Sequence, residues 1–386
     1  MAEKMTLCPI YPVDFREFER SHPLGNFFQT AERAELREKM GWRTHLVGIK
    51  LGAPLSGKTT PTPLIGKTLG APLSDKATLT PVTGKSLGAP FAAVGLIIEK
   101  NHEALLQLGP IMDYEDLNLL DFFLKNLKTY ARSQKIIKIE VFPPVVLKTL
   151  EADGTVIKAY DRTKIFQIFK ANGFRHEGFT TKIENKANRF MFVKDLSELK
   201  DLRAAELTMN ASTRKKLHKT TRELDIHVLK DKSELPEWLT ALKSSDARNG
   251  VHTRDVKYFE DLWDAFGKDA VFVEVRRKDN GALVSSEVDI FHPNEMVAFV
   301  AGTIEEHKKY NGSTAIKGWN IEECLRRNQT RMNLYGMEGN FSPDNPLLYF
   351  KAGLGGFTEE YIGGFELVLN PIKLLINKIK RRLSLI

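Results

Sequence analysis

The chain has 386 residues, 42% hydrophobic and 27% charged, with a formal net charge of +8. That length suits two domains better than one core, the composition is that of a soluble globular protein, and the positive balance favours polyanionic or membrane-surface partners. No basic-then-apolar start and no uncharged apolar run of about 18 residues is present, so neither a signal peptide nor a transmembrane helix is expected. The only cysteines, Cys8 and Cys324, form no CxxC and no cluster with histidine, which predicts reduced thiols in a cytoplasmic protein. The nine histidines show no HExxH or comparable spacing, so no metal and no structural zinc are expected.

The first half reads as mixed α/β. Short helices are predicted over Asp14 to Ser21 and Thr30 to Met40, the second followed by Gly41, and a strand over Thr44 to Ile49. Then the rhythm breaks. Leu51-Gly52-Ala53-Pro54 recurs at Leu69 to Pro72 and at Leu87 to Pro90, at constant spacing and with similar intervening text. Two copies and a partial third are too few to bury a core, and the segment is rich in Pro, Gly, Thr and Lys. It is read as an expanded loop between two strands, with short extended pieces at most.

The first copy contains Gly52-Ala53-Pro54-Leu55-Ser56-Gly57-Lys58-Thr59, which matches the phosphate-binding pattern G-x-x-x-x-G-K-[ST]. That chemistry needs a helix directly after the lysine, whose backbone N–H groups cradle the phosphates. Pro61 and Pro63 oppose such a helix, and the second copy reads Asp75-Lys76-Ala77 where Gly-Lys-Ser/Thr is required. The match is read as an accident of a drifting repeat, which disfavours a nucleotide-dependent regulator.

A strand resumes at Ala92 to Ile98, and Gly109 to Tyr114 is expected as a loop. Leu117, Leu120, Phe123, Leu124, Leu127 and Tyr130 carry the period of an amphipathic helix over Leu117 to Ser133. A buried strand is predicted over Ile136 to Val141 before Pro143-Pro144, a helix over Thr163 to Ala171 ended by Asn172-Gly173, and a strand over Arg189 to Asp195. A domain junction is placed near Lys186 to Asn188.

The second half repeats the theme. Helices are predicted over Met209 to Leu224, Leu235 to Ala247, Asp255 to Phe266 and Thr314 to Arg327. Strands are predicted over Ala270 to Arg276, Ala282 to Phe291, Met296 to Gly302 and Arg331 to Tyr335. The alternation indicates an α/β (α+β) sandwich in two similar halves. The run Arg214 to Arg222 lacks acidic residues and reads either as a solvated helix face or as an RNA or phosphate contact. Near the end, Lys351 follows Tyr349-Phe350 and precedes a glycine-rich bend, Gly353-Leu354-Gly355-Gly356, that leads to a strand ending at Asn370-Pro371. A cation among aromatics beside a backbone that permits close approach suits an anion, although a snorkelling surface lysine has the same spacing. Pro371 to Ile386 is a basic amphipathic helix candidate, which either lies on an anionic membrane or packs on the body with its lysines outward.

Several pieces, in this order, resemble the Fem/MurM-type (FemABX) aminoacyltransferases that build the peptide cross-bridges of Gram-positive peptidoglycan. They are Gly25 to Gln29, Gly109 to Asp113, Lys138-Ile139-Glu140 before Pro143, Ser212-Thr213-Arg214, Gly250 to Phe259, and Phe350-Lys351 to Pro371. The resemblance implies two tandem N-acetyltransferase-like (GNAT-like) modules. The first would span 1–187 with the returning tail 362–386, and the second 188–361. No heptad run follows Leu224, so the long coiled-coil arm of some members is not expected.

The implied reaction moves an amino acid from aminoacyl-tRNA to a side-chain amine on the stem peptide of a UDP-linked or lipid-linked muropeptide. No cofactor is implied, and contact with the inner membrane surface is open. By the same resemblance Arg254 and Tyr258 match acceptor-binding residues, and Arg37 stands for a lysine that helps bind the diphosphate. Lys351, with Phe350, matches a lysine near the reacting ester, at the tRNA end; Arg214 opens the basic helix on the donor side. Glu140 stands where an aspartate precedes proline and is a candidate base, with substrate-assisted proton transfer the alternative. Val300 replaces an expected tyrosine and Gly364 an expected glutamate. These departures keep open a non-catalytic member of the fold that binds muropeptide or RNA.

Overall fold

The computed structural model describes residues 5–50, 91–183 and 186–383. The repeat and its P-loop-like match lie outside the described residues. The first stretch contains β1 (Thr6–Pro9), α1 (Pro12–Ser21), α2 (Ala31–Lys39), β2 (Arg43–Lys50), β3 (Phe91–Lys100), β4 (Glu103–Gln107), β5 (Ile111–Met112) and α3 (Leu117–Ser133). It continues through β6 (Lys138–Phe142), β7 (Val146–Leu150), β8 (Val156–Ala159), α4 (Thr163–Ala171), β9 (Arg175–His176) and β10 (Phe190–Asp195). Next come α5 (Leu202–Leu207), α6 (Ala211–Glu223), β11 (Leu224–Val228), α7 (Leu235–Asn249), α8 (Val256–Phe266), β12 (Ala270–Arg277), β13 (Leu283–His292) and β14 (Glu295–Thr303). The chain closes with α9 (Gly312–Arg326), β15 (Arg331–Met337), α10 (Pro346–Gly353), β16 (Phe357–Tyr361), β17 (Phe365–Val368) and α11 (Pro371–Leu383).

Local sequence explains most of these. Asp116 caps α3 by accepting from the N–H groups of Asn118 and Leu119. Its Leu120, Phe123, Leu124, Leu127 and Ala131 then recur at helical spacing and are fully buried. β3 is buried on both faces from Ala93 to Glu99, so it reads as a continuous apolar run rather than an alternation. The Gly109–Tyr114 segment, expected as a loop, contributes the two-residue strand β5 against β3.

The strands form two sheets, ordered β1-β2-β3-β4-β6-β17-β9, with β5 on β3, and β11-β12-β13-β14-β15-β10-β16-β7-β8. Among the described residues each sheet is antiparallel except for one parallel pair, β4 with β6 and β14 with β15. The connectivity repeats as well. A helix pair precedes three antiparallel strands, and a helix then crosses to the strand that pairs in parallel. In the first sheet this is α1–α2, β2–β3–β4, α3 and β6; in the second it is α7–α8, β12–β13–β14, α9 and β15.

Hydrogen bonding ties the halves together. The hairpin β7–β8 extends the second sheet through β16 and so covers an edge that would otherwise be open, while β17 returns to lie between β6 and β9 of the first. One apolar core backs each sheet. A third cluster joins Phe27, Phe28 and Leu36 to Trp238, Phe259, Phe266 and Phe299. Beside it Glu19 and His292 meet at 2.7 Å, fully buried. Burial pushes Glu19 up to about 9 and His292 down to about 4, so the contact joins two neutral groups. No helix of the described residues is long and apolar enough to cross a membrane.

Candidate functional site: an arginine cluster joined to a buried lysine

Thr30 caps α2 by accepting from Arg33 N–H at 3.0 Å, which sets Arg33 and Arg37 one turn apart on the same face. The Arg33 guanidinium is buried over the rings of Phe27 (4.9 Å), Phe28 (5.8 Å) and Phe299 (6.0 Å). Arg37 lies over Trp42 at 5.3 Å. From the other half, α7 ends at Gly250 in the left-handed region (φ +65°), and Asp255 caps α8 by accepting from Tyr258 N–H. The loop between them carries Arg254 onto Tyr258 (4.5 Å) and to within 5.8 Å of Phe299. Arg33 and Arg254 therefore approach one phenylalanine from two modules.

Among the described residues none of these three arginines is ion-paired, and the Nε atoms of Arg33 and Arg37 are buried without a hydrogen-bond partner. Burial, reinforced by the charges of Arg33 and Arg254, pushes Arg37 down to about 9. Guanidiniums that repel one another in an aromatic surround, without carboxylates, are suited to a multiply charged anion.

Tyr335 joins this cluster to Lys351. Its ring lies 5.9 Å from Phe28 and 6.0 Å from Phe299. Burial pushes its hydroxyl up, opposed by the charges of Arg33, Arg254 and Arg37. Its backbone is left-handed (φ +67°), costly for a residue with a side chain and held here by Asn333 Oδ1, which accepts from Tyr335 N–H at 2.8 Å. The Tyr335 carbonyl accepts from Lys351 Nζ at 3.1 Å, and the Gly336 carbonyl accepts from it at 2.8 Å.

Lys351 is not the surface lysine its spacing allows. It is the sixth residue of α10, a helix capped by Asn345 and begun by Pro346, and only 5% of it is exposed. Behind it the bend turns at Gly355 (φ +76°) and Gly356 (φ +146°), and the buried Lys194 donates to Leu354 O at 2.8 Å. Burial first, and the charge of Lys317 second, push Lys351 down to about 7. It has carbonyl acceptors but no carboxylate, so it can hold or release a proton near neutrality.

Lys351 and Phe350 line a cavity of about 360 Å³ together with Lys317, Glu287, Thr303 and Ser313. On its inner wall Lys317 pairs with Glu287, and Asn320 donates to the same Glu287 oxygen at 2.7 Å. Burial first, and the Glu287 charge second, push Asp289 well up, which favours its neutral form.

Other residues singled out from sequence lie apart from this pair of sites. Glu140, on β6, is paired with Lys138 (3.0 Å) and Lys186. It also lies beside Glu177 and Glu366, a trio whose oxygens have metal-ligand spacing. None of these residues lines the Lys351 cavity. The lysines hold Glu140 ionised, whereas burial pushes Glu177 up to about 7. Arg214 donates to Met209 O (2.6 Å) and Glu206 O (3.3 Å), closing the end of α5. Val300 is half-buried on β14, one residue beyond Phe299. At Gly364 a Cβ would stand 2.5 Å from the Phe142 ring and 2.6 Å from Glu177 Oε2, so Glu177 occupies the space a side chain would need.

Arg33, Tyr335, Lys317 and Glu287 were not anticipated. Two signals were present. Arg33 and Arg37 follow a capping threonine at helical spacing, and Glu287 and Asp289 alternate within an apolar strand, which puts them on one face.

Duplicated sheets, each with one parallel pair bridged by a crossing helix, define a tandem GNAT-like protein. A crystal structure of FemX superposes with a TM-score of 0.73 at 16% identity, covering 96% of this chain and 99% of that one. A tandem GNAT protein from the clavulanic acid biosynthesis pathway gives 0.51 at 10% identity, covering 95% and 99%. Within that class the chain belongs to the FemAB family, whose family model matches residues 10–56, 92–276 and 274–380. Aminoacyltransferase FemB of Staphylococcus epidermidis is 24% identical over 331 residues, covering 69% of this chain and 78% of the relative. Aminoacyltransferase FemA of Staphylococcus aureus is 23% identical over 427 aligned positions, covering 92% and 94%.

Proposed function

We propose that the chain is an aminoacyltransferase of peptidoglycan cross-bridge synthesis. It moves an amino acid from aminoacyl-tRNA to the side-chain amine of the stem peptide on a UDP-linked or lipid-linked muropeptide. The observation that carries this reading is the unpaired Arg33–Arg37–Arg254 cluster, connected through Tyr335 to a buried lysine poised near neutrality. Family membership and the names of its relatives support the same reaction class.

In this reading Arg33, Arg37 and Arg254 hold the acceptor diphosphate, with Tyr258 and Tyr335 at its side. The aminoacyl ester enters the Lys351 cavity. The neutral amine of the stem peptide attacks the ester carbonyl, the bond from that carbon to the ribose oxygen breaks, the amine gives up a proton and the ribose oxygen takes one. The ester is already activated, so positioning and charge stabilisation are the main demands on the protein. The Lys351 ammonium stabilises the oxyanion, and Phe350 flanks it. Glu140, ionised between two lysines, shapes the first module rather than taking the proton. Transfer takes place in the cytoplasm, with peripheral contact at the inner face of the membrane, where a lipid-linked acceptor is presented.

Calorimetric titration tests the acceptor half. A UDP-linked muropeptide should bind with an affinity that falls as salt rises, and the same muropeptide without its diphosphate should lose most of that affinity. Equal binding of the two forms would contradict the assignment.

A further inference from the structure

α11 meets the protein through the opposite face from the one amphipathicity leads one to expect. Successive helical residues advance by about 100°, so Leu374, Asn377 and Arg381 share one side, and Ile372, Leu375, Ile376 and Ile379 share the other. The first side faces the body. Leu374 is buried, Asn377 Nδ2 donates to Asn101 O at 3.1 Å, and Arg381 Nη2 donates to Glu103 Oε1 at 2.7 Å. These contacts lay the helix across the turn between β3 and β4. The second side is open, with Ile372 72%, Leu375 60%, Ile376 44% and Ile379 50% exposed. Lys373 and Lys380, both exposed, lie together along one flank of this stripe. A surface helix of a globular protein normally buries its aliphatic stripe and shows its polar side to water. Here two polar anchors hold the stripe outward.

We propose that this stripe is a membrane-docking surface, on which α11 lies in the plane of an anionic bilayer. Ile372, Leu375, Ile376 and Ile379 enter the boundary of the acyl chains, and Lys373 and Lys380 meet lipid phosphates. A bilayer fits better than a second copy of the chain. One helical stripe falls well short of the roughly 800 Å² per partner that a stable protein interface buries, and cations flanking aliphatics complement a lipid headgroup layer rather than an identical basic helix. The inference rests on the reading above only in that docking would bring the enzyme to a lipid-linked acceptor; the surface itself needs neither substrate.

The test uses the full chain and sedimentation with equimolar phosphatidylglycerol–phosphatidylcholine vesicles, against phosphatidylcholine alone. Binding is expected with the anionic vesicles and not with the neutral ones. Lys373→Gln with Lys380→Gln should weaken it roughly 25-fold at low salt, about fivefold per cation. Changing Ile372, Leu375, Ile376 and Ile379 together to serine should weaken it on the order of 100-fold or more while transfer to a soluble acceptor continues. Because that variant also touches helix stability, Leu375→Trp gives a second measurement, and its emission should shift to the blue on anionic vesicles only. Absent sedimentation, an unshifted tryptophan, or a dimer in light scattering that the serine variant dissolves would overturn the proposal. Vesicle binding without any transfer activity would instead count against the enzymatic reading alone.

Discussion

Replacing Lys351 with methionine separates its two roles, because methionine keeps an apolar stem and loses the charge. In the parent, Lys351 titrates near 7 instead of 10.5. Between those values the unfolded chain binds a proton that the folded chain does not, so the lysine's contribution to stability rises with pH across that window, by up to about 1.4 kcal/mol per unit. Below 7 it is charged in both states and the burial cost is constant. The variant lacks this slope and leaves the Tyr335 and Gly336 carbonyls without their donor, a loss of about 1–3 kcal/mol. Urea melts should therefore show the parent gaining stability relative to the variant as pH rises from about 7 toward 9, by up to about 3 kcal/mol. Catalysis should respond more strongly. Losing one oxyanion-stabilising donor costs about 10²–10³ in rate, and single-turnover transfer from preformed aminoacyl-tRNA should fall by that amount while muropeptide binding holds. The pH profile carries the signature. The reactive amine has an ordinary value near 10, so its neutral fraction grows about tenfold per unit, while the Lys351 ammonium declines above 7. The parent rate should level off above about pH 7 and the variant's should keep climbing. A variant rate within about twofold of the parent, or two profiles of the same shape, would refute the reasoning.

Arg254→Ala should raise the KM for the acceptor on the order of 10- to 100-fold, as expected for charge-assisted bonds to phosphate, and leave tRNA binding unchanged; titration with each substrate checks it. Arg33→Leu keeps the contact with Phe27 and Phe299 but removes the buried charge, so it should weaken acceptor binding without lowering the melting temperature. Gly364→Glu should destabilise the fold rather than restore the expected glutamate's role, because the new side chain meets Phe142 and the Glu177 carboxylate; denaturant melts and transfer rates should both fall. Replacing residues 51–90 with Asn-Gly should leave cooperative unfolding intact, since Lys50 and Phe91 are already paired across β2 and β3 and need only a tight turn.

Much of the architecture was legible where periodicity is strong. The limits of α3 and α4 follow directly from apolar spacing, a capping aspartate and Asn172-Gly173. α10 was harder. It is a single short run opening on proline and closing in glycines, so its sequence shows only the bend that follows, and tertiary packing makes it a helix that buries Lys351. The β7–β8 hairpin pairs a half-buried strand with an exposed one, and so carries no alternation to detect. At the site, resemblance led to Arg37, Arg254, Tyr258 and Lys351. Arg33 remained hidden because its burial depends on Phe27 and on Phe299, residues far apart in the chain. Tyr335 matters through a left-handed backbone, a property no side-chain pattern reports.

The most direct measurement is transfer itself. The protein is mixed with a panel of isotopically labelled aminoacyl-tRNAs and, in parallel, UDP-linked and lipid-linked muropeptide, and the products are weighed by mass spectrometry. The account predicts that one muropeptide form gains the mass of a single labelled residue on its stem-peptide side chain, and that Lys351→Met abolishes most of this gain while the Arg254→Ala reaction recovers at high acceptor concentration. A muropeptide that binds yet never gains mass with any aminoacyl-tRNA would contradict it and identify the chain as a binding member of the fold.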